Sequence, residues 1–552
     1  MLRMSESAAS DQVEVEWQYS AADTSTVVRW LESAAVPGYT IAPGKTKELD
    51  DTYFDTPDWR VHHGGFTCRI RDKGDASELT LKSMAAAVGS MRSRREMTEP
   101  LEAGTAPLAA PGICGDTLRL LAGRCPVQPI FNLRTHRQTF ILLDAEGTLA
   151  EIAVDNTAIP VGEAVPVRLA RVEVEVDAKA VARARRFVDV LVAATDLAPA
   201  GTSKFEAALV ATGQAVTPSR PDLGSTEISA RMTAAAVAYA VMRKHLGTFL
   251  ANEAGTRLGQ DIEALHDMRV ATRRLRAAMS AFATFCPARL QPLRVQLGWV
   301  AALLGDVRDL DVQIERMAEW RAGFTETQSR ALDGVEALLS ARRAVARKRM
   351  LAALDSRRYE SLIARFAATL RRGPVRRFGP GRTPILAVAP DLVERRYRKL
   401  RRNGDQIDRK SLAGTYHLLR IDAKKLRYAL EFVGPIYGKP AADFVVRLTA
   451  LQDLLGLHQD ADVAVEMLDA MAQTNGRRLG HASLMVMGAI AERYRRHGEE
   501  LRHDFPRVYK PITGAELRRL LKTMESLRRP AFEESGTGEG RGGGASFHRP
   551  QP

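Results

Sequence analysis

The sequence predicts a multidomain chain, with an antiparallel β domain carrying a few helices (α+β) first and an all-α domain after it. Three observations carry that prediction. Short segments of strict apolar/polar alternation recur in the first 210 residues, the mark of strands with one apolar face. From Ile228 onward, apolar residues recur at helical spacing with few Gly or Pro. The helical part also uses one pattern twice. His266-x-x-Arg269-x-x-x-Arg273-Arg274-Leu275-Arg276 returns 151 residues later as His417-x-x-Arg420-x-x-x-Lys424-Lys425-Leu426-Arg427. The same offset relates Leu304-Gly305-x-x-Asp309-x-Asp311 to Leu455-Gly456-x-x-Asp460-x-Asp462, so an internal duplication organises this half.

The elements follow in order. Val13-Glu14-Val15-Glu16-Trp17 alternates with both acids on one face. Thr67–Arg71, Leu79–Lys82 and Ser93–Met97 do the same with Arg69, Arg71, Lys82 and Arg94. Arg134–Ile141 and Leu149–Asp155 read as a hairpin pair, and Val172–Val176 repeats the first pattern with Glu173 and Glu175. Ser25–Ala35 and Val181–Ala194 read as helices. The polar face is thus charged with both signs on almost every strand. One reading is cross-strand ion pairs on a wet face. The other is a sheet closed on itself with the charges inside. Carboxylates would then hold a hard divalent cation, and Arg and Lys would hold phosphate oxygens.

Gln214–Gly224, with Pro218 and Pro221, reads as a linker. Helices are expected at Ile228–Asn252, His266–Ala283, Leu290–Leu304, Asp309–Arg321 and Thr325–Leu354. A Pro- and Gly-rich break at Arg371–Pro384 follows. The second half is expected to be helical at Asp391–Arg402, His417–Phe432, Ala442–Leu455, Asp460–Thr474 and about 478–503. On a helix His266, Arg269, Arg273 and Arg276 share an arc of about 80°. Like charges at these spacings repel, so the stripe is either a solvated basic face or the seat of an anion.

Bulk composition narrows the partner. The chain has 552 residues and a net charge of +14. Residues 1–210 hold 23 Lys/Arg against 29 Asp/Glu, a net of −6, and the remainder holds 57 against 37, a net of +20. The basic part should seek a polyanion. The few aromatics near the stripe (Phe282, Tyr428, Phe432) offer little stacking for single-stranded nucleic acid, which leaves nucleic acid to phosphate contacts alone. The cysteines Cys68, Cys114, Cys125 and Cys286 have no zinc or disulfide-framework spacing, which points to a reducing compartment. Met1–Gln12 lacks the apolar core of a signal peptide, and no apolar run is long enough to span a membrane. The expected location is cytoplasmic.

The residues of the first part carry a resemblance. The paired acids of the first strand, Tyr53-Phe54-Asp55-Thr56-Pro57, Arg69-Ile70-Arg71, Thr80-Leu81-Lys82, Arg94-x-Glu96, Glu173-Val174-Glu175 and Gly201-Thr202-Ser203-Lys204 come in the order of the CYTH family, the triphosphate tunnel metalloenzymes. The resemblance covers roughly 12–210 and implies an eight-stranded antiparallel β tunnel. It implies a metal site at Glu14, Glu16, Glu173 and Glu175 for Mg²⁺ or Mn²⁺, and triphosphate ligands at Arg69, Arg71, Lys82, Arg94 and Lys204. Lys82, Arg94 and Lys204 are its catalytic candidates. The chain departs from the family's Glu-x-Glu-x-Lys opening at Gln18, and carries Thr98 where a further acid often follows Glu96. Nucleotide cyclisation, known in the family, would need an adenine site for which the sequence gives no signal.

The duplicated half resembles the CHAD domain over about 227–528. The two His-x-x-Arg helices and the Leu-Gly-x-x-Asp-x-Asp segments carry that resemblance. It implies two four-helix bundles related by a pseudo-twofold axis, with repeats at about 227–370 and 385–528. It also implies a basic polyphosphate-binding surface at His266, Arg269, Arg273, Arg274, Arg276, Arg308, His417, Arg420, Lys424, Lys425 and Arg427. Arg308 is matched by Gln459 in the second half. A linker at 211–226 and a disordered Gly-rich tail at 529–552 complete the expected organisation. Together the resemblances imply a metal-dependent inorganic triphosphatase with a polyphosphate-binding domain. The alternative is a polyphosphate-binding, granule-associated protein with little or no turnover.

Overall fold

A computed structural model describes residues 10–74, 76–84, 89–218 and 221–536, with side chains to 528. The chain forms two compact units, Met1–Ser219 with Arg257–Gln260, and Arg220–Thr256 with Asp261–Pro552.

The first unit is built from β1 (Ser10–Ser20), β2 (Thr40–Asp55), β3 (Phe66–Asp72), β4 (Ala76–Ser83), β5 (Met91–Glu102), β6 (Gln128–Asp144), β7 (Gly147–Val161), β8 (Ala164–Val176) and the short β9 (Ala198–Pro199). The order β5-β4-β3-β2-β6-β7-β8-β1 closes through pairing of β1 with β5, giving an eight-stranded antiparallel barrel with β9 added on β1. Alternation decides which way each strand faces. Trp17 and Tyr19 point outward into a core with Val172 and Val174, while Glu14, Glu16 and Gln18 point inward. That outer core is sealed by α1 (Thr24–Ser33) and α4 (Val181–Thr195) through Val27, Leu31, Phe187 and Leu191. Each such buried Leu or Phe contributes about 1.5–3 kcal/mol. The helices α2 (Arg60–His63), α3 (Gly112–Ala122) and α5 (Lys204–Ala211) complete the unit.

β2, the short β9 and the helices α2, α3 and α5 lie outside the expected elements. β2 hides its alternation behind Pro43-Gly44 and a register shift, and a Cβ at Gly44 would lie 2.7 Å from the Thr139 carbonyl oxygen. α5 is too short for a periodicity signal, yet a Ser203–Glu206 capping box fixes its start at Lys204.

The second unit holds α6 (Ala234–Ala251), α7 (Glu253–Leu258), α8 (Ile262–Ala281), α9 (Gln291–Arg321), α10 (Glu326–Arg330), α11 (Asp333–Leu354) and α12 (Arg357–Arg372). Then come α13 (Ile385–Gly404), α14 (Ala413–Tyr437), α15 (Lys439–Tyr509) and α16 (Ala515–Gly536). Gly480, at φ +81°, breaks α15 into two arms. At the 151-residue offset α6 matches α13, α8 matches α14, α9 and α11 match the two arms of α15, and α12 matches α16. The backbone itself records the pseudo-twofold. Ala234 N–H donates to Thr383 C=O at 2.8 Å, and Ile385 N–H donates to Met232 C=O at 3.0 Å, so each bond is the other moved by the offset.

Where four helices per half were expected, five among the described residues are related by the offset in each half, and the short α7 and α10 add two more to the first. α12 and α16 are the additions; Tyr359, Leu362, Phe366 and Leu370 form a clear apolar stripe on α12, whose other faces are rich in arginine. The apolar faces of both halves merge in one core running from Leu223 to Met524, and a second core joins Met317, Trp320 and Val335 to Met471, Val486 and Ile490. The Leu304-Gly305 and Leu455-Gly456 pairs are not helix ends, since both lie inside α9 and α15. The Arg269 guanidinium passes over Gly305, its Nε 3.6 Å from where a Cβ would stand, which is ordinary contact and would not exclude a side chain. The expected tail from 529 is helical to Gly536, and 537–552 lie outside the described residues, as do 1–9 and the linker positions 219–220.

Candidate functional site

The barrel interior is a cavity of about 580 Å³ whose wall carries nearly all its charge. Every acid and base singled out in the sequence of this unit lines it: Glu14, Glu16, Glu173, Glu175, Arg69, Arg71, Lys82, Arg94 and Lys204. The strand register explains the convergence. Glu14 lies across from Arg94, Glu16 from Arg92 on one side and Glu175 on the other, Gln18 from Glu173, and Lys82 from Glu96.

Most of the cations are neutralised in place. Lys82 Nζ sits 2.5 Å from Glu14, 3.0 Å from Glu96 and 3.6 Å from Glu16. Arg94 pairs with Glu16. Lys204, thrown inward from the first position of α5, pairs with Asp155 and with Glu173 at 2.9 Å. Arg71 grips Asp51 with two hydrogen bonds of 2.7 and 2.9 Å, and Arg69 stands 3.6 Å from the same carboxylate.

The site has members the sequence reading did not nominate. Arg137 on β6 bonds Asp155 at 2.6 Å and Glu173 at 2.8 Å, and Asp51, Glu96 and Arg92 also belong to the inner face. The signal was there: Thr135, Arg137 and Thr139 share a parity on β6, as do Ala153 and Asp155 on β7. Extending the inward parity to those strands would have found Arg137 and Asp155.

The acids divide by environment. Burial pushes the carboxyl of Glu173 up, but Lys204 and Arg137 outweigh it and hold it far below the usual range. Lys82 and Arg69 likewise overcome burial to hold Glu96 at about 2. Glu14 is raised by burial, with the Glu96 charge adding and Lys82 opposing. Glu175 is exposed to the tunnel cavity, and the partial burial of its carboxyl together with the Glu14 charge pushes it up to about 7. Glu16 and Glu175 are direct cross-strand neighbours of like charge, an arrangement that costs stability without a cation between them. Glu175 has no ion-pair partner among the described residues. Glu173 is matched by Lys204 and Arg137, Glu14 by Lys82 and Glu16 by Arg94, which leaves Glu175 as the one of the four expected metal acids with no cation beside it among the described residues. As they stand, no three acid, imidazole or thiol groups among the described residues converge as a metal site.

In the helical unit, α8 packs against α14 and brings part of the duplicated stripe together. Arg273 Nε donates to Tyr428 Oη at 2.6 Å, and the guanidiniums of Arg273, Arg274 and Arg427 lie 5.7–6.0 Å from that ring. Burial and the charges of Arg420, Arg273, Arg269 and Arg427 push the Lys424 ammonium down to about 7. The other nominated residues are spent differently. Arg274 pairs with Glu431 at 3.1 Å, Arg308 with Glu315 at 3.3 Å, and Arg276 lies over Gly298. Lys425 is exposed, and His417 bonds Gln459, the residue that replaces Arg308 in the second half. The repeated acids also diverge. Asp309 accepts from Arg269 at 3.1 Å and Asp460 from Arg316 at 3.1 Å, whereas Asp311 pairs with Arg343 and Asp462 with His458 at 3.1 Å. No helix of the described residues is long and apolar enough to cross a membrane.

Comparison with known proteins follows the same division. Residues 25–207 match the family model of the CYTH domain, and residues 240–469 match that of the CHAD domain. Two proteins of Mycobacterium tuberculosis, uncharacterized protein MT2285 and uncharacterized protein Rv2226, are each 27% identical over 488 residues, covering 83% of this chain and 88% of their own. Among solved structures, the CHAD domain from the plant Ricinus communis is similar over 53% of this chain and 97% of its own, with 24% identity and a TM-score of 0.42. PptA from Streptomyces chartreusis is similar over 50% and 99%, with 20% identity and a TM-score of 0.42. HpAC1 from Hippeastrum, described with a dominant triphosphatase activity, is similar over 36% and 95%, with 17% identity and a TM-score of 0.27.

Proposed function

From a chain that carries a CYTH domain followed by a CHAD domain, with the triphosphate-tunnel fold, we propose a hydrolase of inorganic triphosphate or short polyphosphate whose helical domain binds longer polyphosphate. The observation that carries this reading is the closed barrel with a charged interior. A cavity of about 580 Å³ lined by Arg69, Arg71, Lys82, Arg94, Arg137 and Lys204 suits a short linear polyanion and little else.

These cations hold the non-bridging oxygens and keep the phosphoanhydride chain extended along the tunnel. Water attacks the terminal phosphorus in line, the bridging P–O bond breaks, diphosphate leaves with the bonding pair, and the proton of the water is lost to solvent. Charge gathered on the equatorial oxygens is met by guanidinium and ammonium groups already fixed by their carboxylates, so little reorganisation is needed. Mg²⁺ or Mn²⁺ held by Glu14, Glu16 and Glu175 would add positive charge to those oxygens. Lys82, Arg94 and Lys204 already bond wall acids, so substrate meets the N–H donors those bonds leave over; with a divalent cation on Glu14 and Glu16, Lys82 would still be held by Glu96 at 3.0 Å.

Phosphate release from tripolyphosphate, with and without Mg²⁺ or Mn²⁺, tests this directly. Metal-dependent release that disappears in Glu14→Gln/Glu16→Gln supports a tunnel hydrolase. A second reading draws on Gln18, which lacks the charge of the family's lysine: a polyphosphate-binding protein, associated with polyphosphate granules, whose tunnel has little turnover. Absence of release together with tight, salt-sensitive binding of long polyphosphate would select that reading.

A further inference from the structure

Arg92 stands apart from every other cation that lines the tunnel. It is 7% exposed, on the inner face of β5, directly across from Glu16, and its side chain lines the cavity. Arg94, Lys82, Lys204, Arg137, Arg69 and Arg71 each have a carboxylate partner. Arg92 has no ion pair and no side-chain hydrogen bond among the described residues, and its Nε is buried without a partner. A buried guanidinium left this way is costly unless something anionic completes it.

Its neighbourhood is short of negative charge. The next inward position of β1 beyond Glu16 is Gln18, whose amide donates to Glu173 at 3.4 Å and brings no charge. Glu173 is already bonded by Lys204 and Arg137. Arg171, on the adjacent β8, is held by Ser20 and Thr202, and its pKa is lowered by burial and by the charge of Arg92. Arg171 is thus near enough to feel the charge of Arg92, but of the two only Arg92 lines the cavity.

We propose that Arg92 is a phosphate-binding residue that supplies, from β5, the positive charge that Gln18 leaves out of β1. It binds the non-bridging oxygens of the phosphoryl group nearest the Gln18 end. This rests on the triphosphate reading of the tunnel, and it explains how a chain with glutamine at that position keeps a full complement of phosphate ligands.

The test measures tripolyphosphate binding by calorimetry and phosphate release on the full chain, for wild type, Arg92→Gln, Arg92→Lys and Arg92→Gln/Gln18→Lys. Loss of a charge-assisted bond predicts roughly a 10- to 100-fold weaker Kd for Arg92→Gln. Arg92→Lys should keep most of the affinity, and lysine at position 18 should restore it in the double variant, which a merely structural arginine would not allow. Gln18→Lys alone should change wild type little. Arg92→Gln binding within two-fold of wild type overturns the assignment and leaves the hydrolase reading standing. So does a weakened variant that neither lysine rescues. Binding without phosphate release overturns the hydrolase reading while the Arg92 comparison still holds, and no binding by wild type overturns both.

Discussion

In the tunnel, Lys82 meets Glu14 at 2.5 Å and Glu96 at 3.0 Å; where α8 packs on α14, Lys424 meets Arg420, Arg273, Arg269 and Arg427. The consequence appears in the two ammonium groups. Burial disfavours the charge on both, but the tunnel acids overcome it and raise Lys82, whereas the arginines add to it and bring Lys424 down to about 7. One interior is charged yet nearly balanced; in the other, Arg269 pairs with Asp309 and Arg427 with Glu431, while Arg273, Arg420 and Lys424 have no ion pair among the described residues, so cations are in excess. A balanced wall selects a short ligand whose charges fit its alternating groups. An unbalanced cluster favours any dense polyanion, with an affinity that falls steeply with salt.

The largest effect should come from the tunnel acids. Glu14→Gln/Glu16→Gln removes two of the three carboxylates proposed to hold a divalent cation, leaves Arg94 without its pair and leaves Lys82 with Glu96 alone. Tripolyphosphate hydrolysis should fall by roughly 10³-fold or more. Long-polyphosphate binding should stay within two-fold of wild type if the two regions work independently. A parallel loss of both would break the comparison.

The reciprocal change is smaller. Arg269→Glu/Arg420→Glu inverts two charges in the helical cluster and should weaken binding of long polyphosphate by about 100-fold at low salt, with a shallower salt slope. Tunnel hydrolysis of tripolyphosphate should not change. Filter binding at several salt concentrations reads both quantities, and unchanged affinity would remove the stripe from the mechanism.

Much of this was legible from spacing. The strict alternation around Glu14 and Glu16 placed those acids on one face, and a closed barrel turned that face inward. The 151-residue offset named the helices that meet, and even the paired Met232–Ile385 and Thr383–Ala234 bonds obey it. What stayed hidden depends on partners distant in sequence. Arg137 becomes part of the site only because β6 and β7 bring Asp155 and Glu173 to it. Arg276 and Arg273 lie on one helical arc, yet Arg273 meets Tyr428 of α14 while Arg276 turns to Gly298 of α9. A helical wheel gives the direction of a side chain from its own axis and says nothing of which neighbour stands there. α12 and α16 are a different case: each has a clear apolar stripe, but the many arginines and acids on the remaining faces make the segments look polar as a whole.

The smallest effect is the sharpest discriminator, because it depends on the absence of acids around Lys424. A lysine titrating near 7 rather than near 10.5 is disfavoured as a cation by the fold. That cost to stability is fully present below pH 7 and fades as pH rises toward 10.5. Polyphosphate reverses the local field and stabilises the ammonium, so binding above pH 7 must take up a proton that binding at pH 6 already finds in place. Affinity should therefore fall between pH 6 and pH 8, by at most about ten-fold per pH unit for one proton. Lys424→Arg keeps its charge throughout and should flatten the profile while holding the pH 6 affinity. Lys424→Met should flatten it at a weaker value. Lys82, paired with acids, should give tripolyphosphate binding no comparable slope above pH 7. If Lys424→Arg retains the wild-type slope, the titrating group lies elsewhere on the stripe, with His417 and His266 as the residues to replace next. The contrast between a balanced and an unbalanced cation cluster would then lose its clearest consequence.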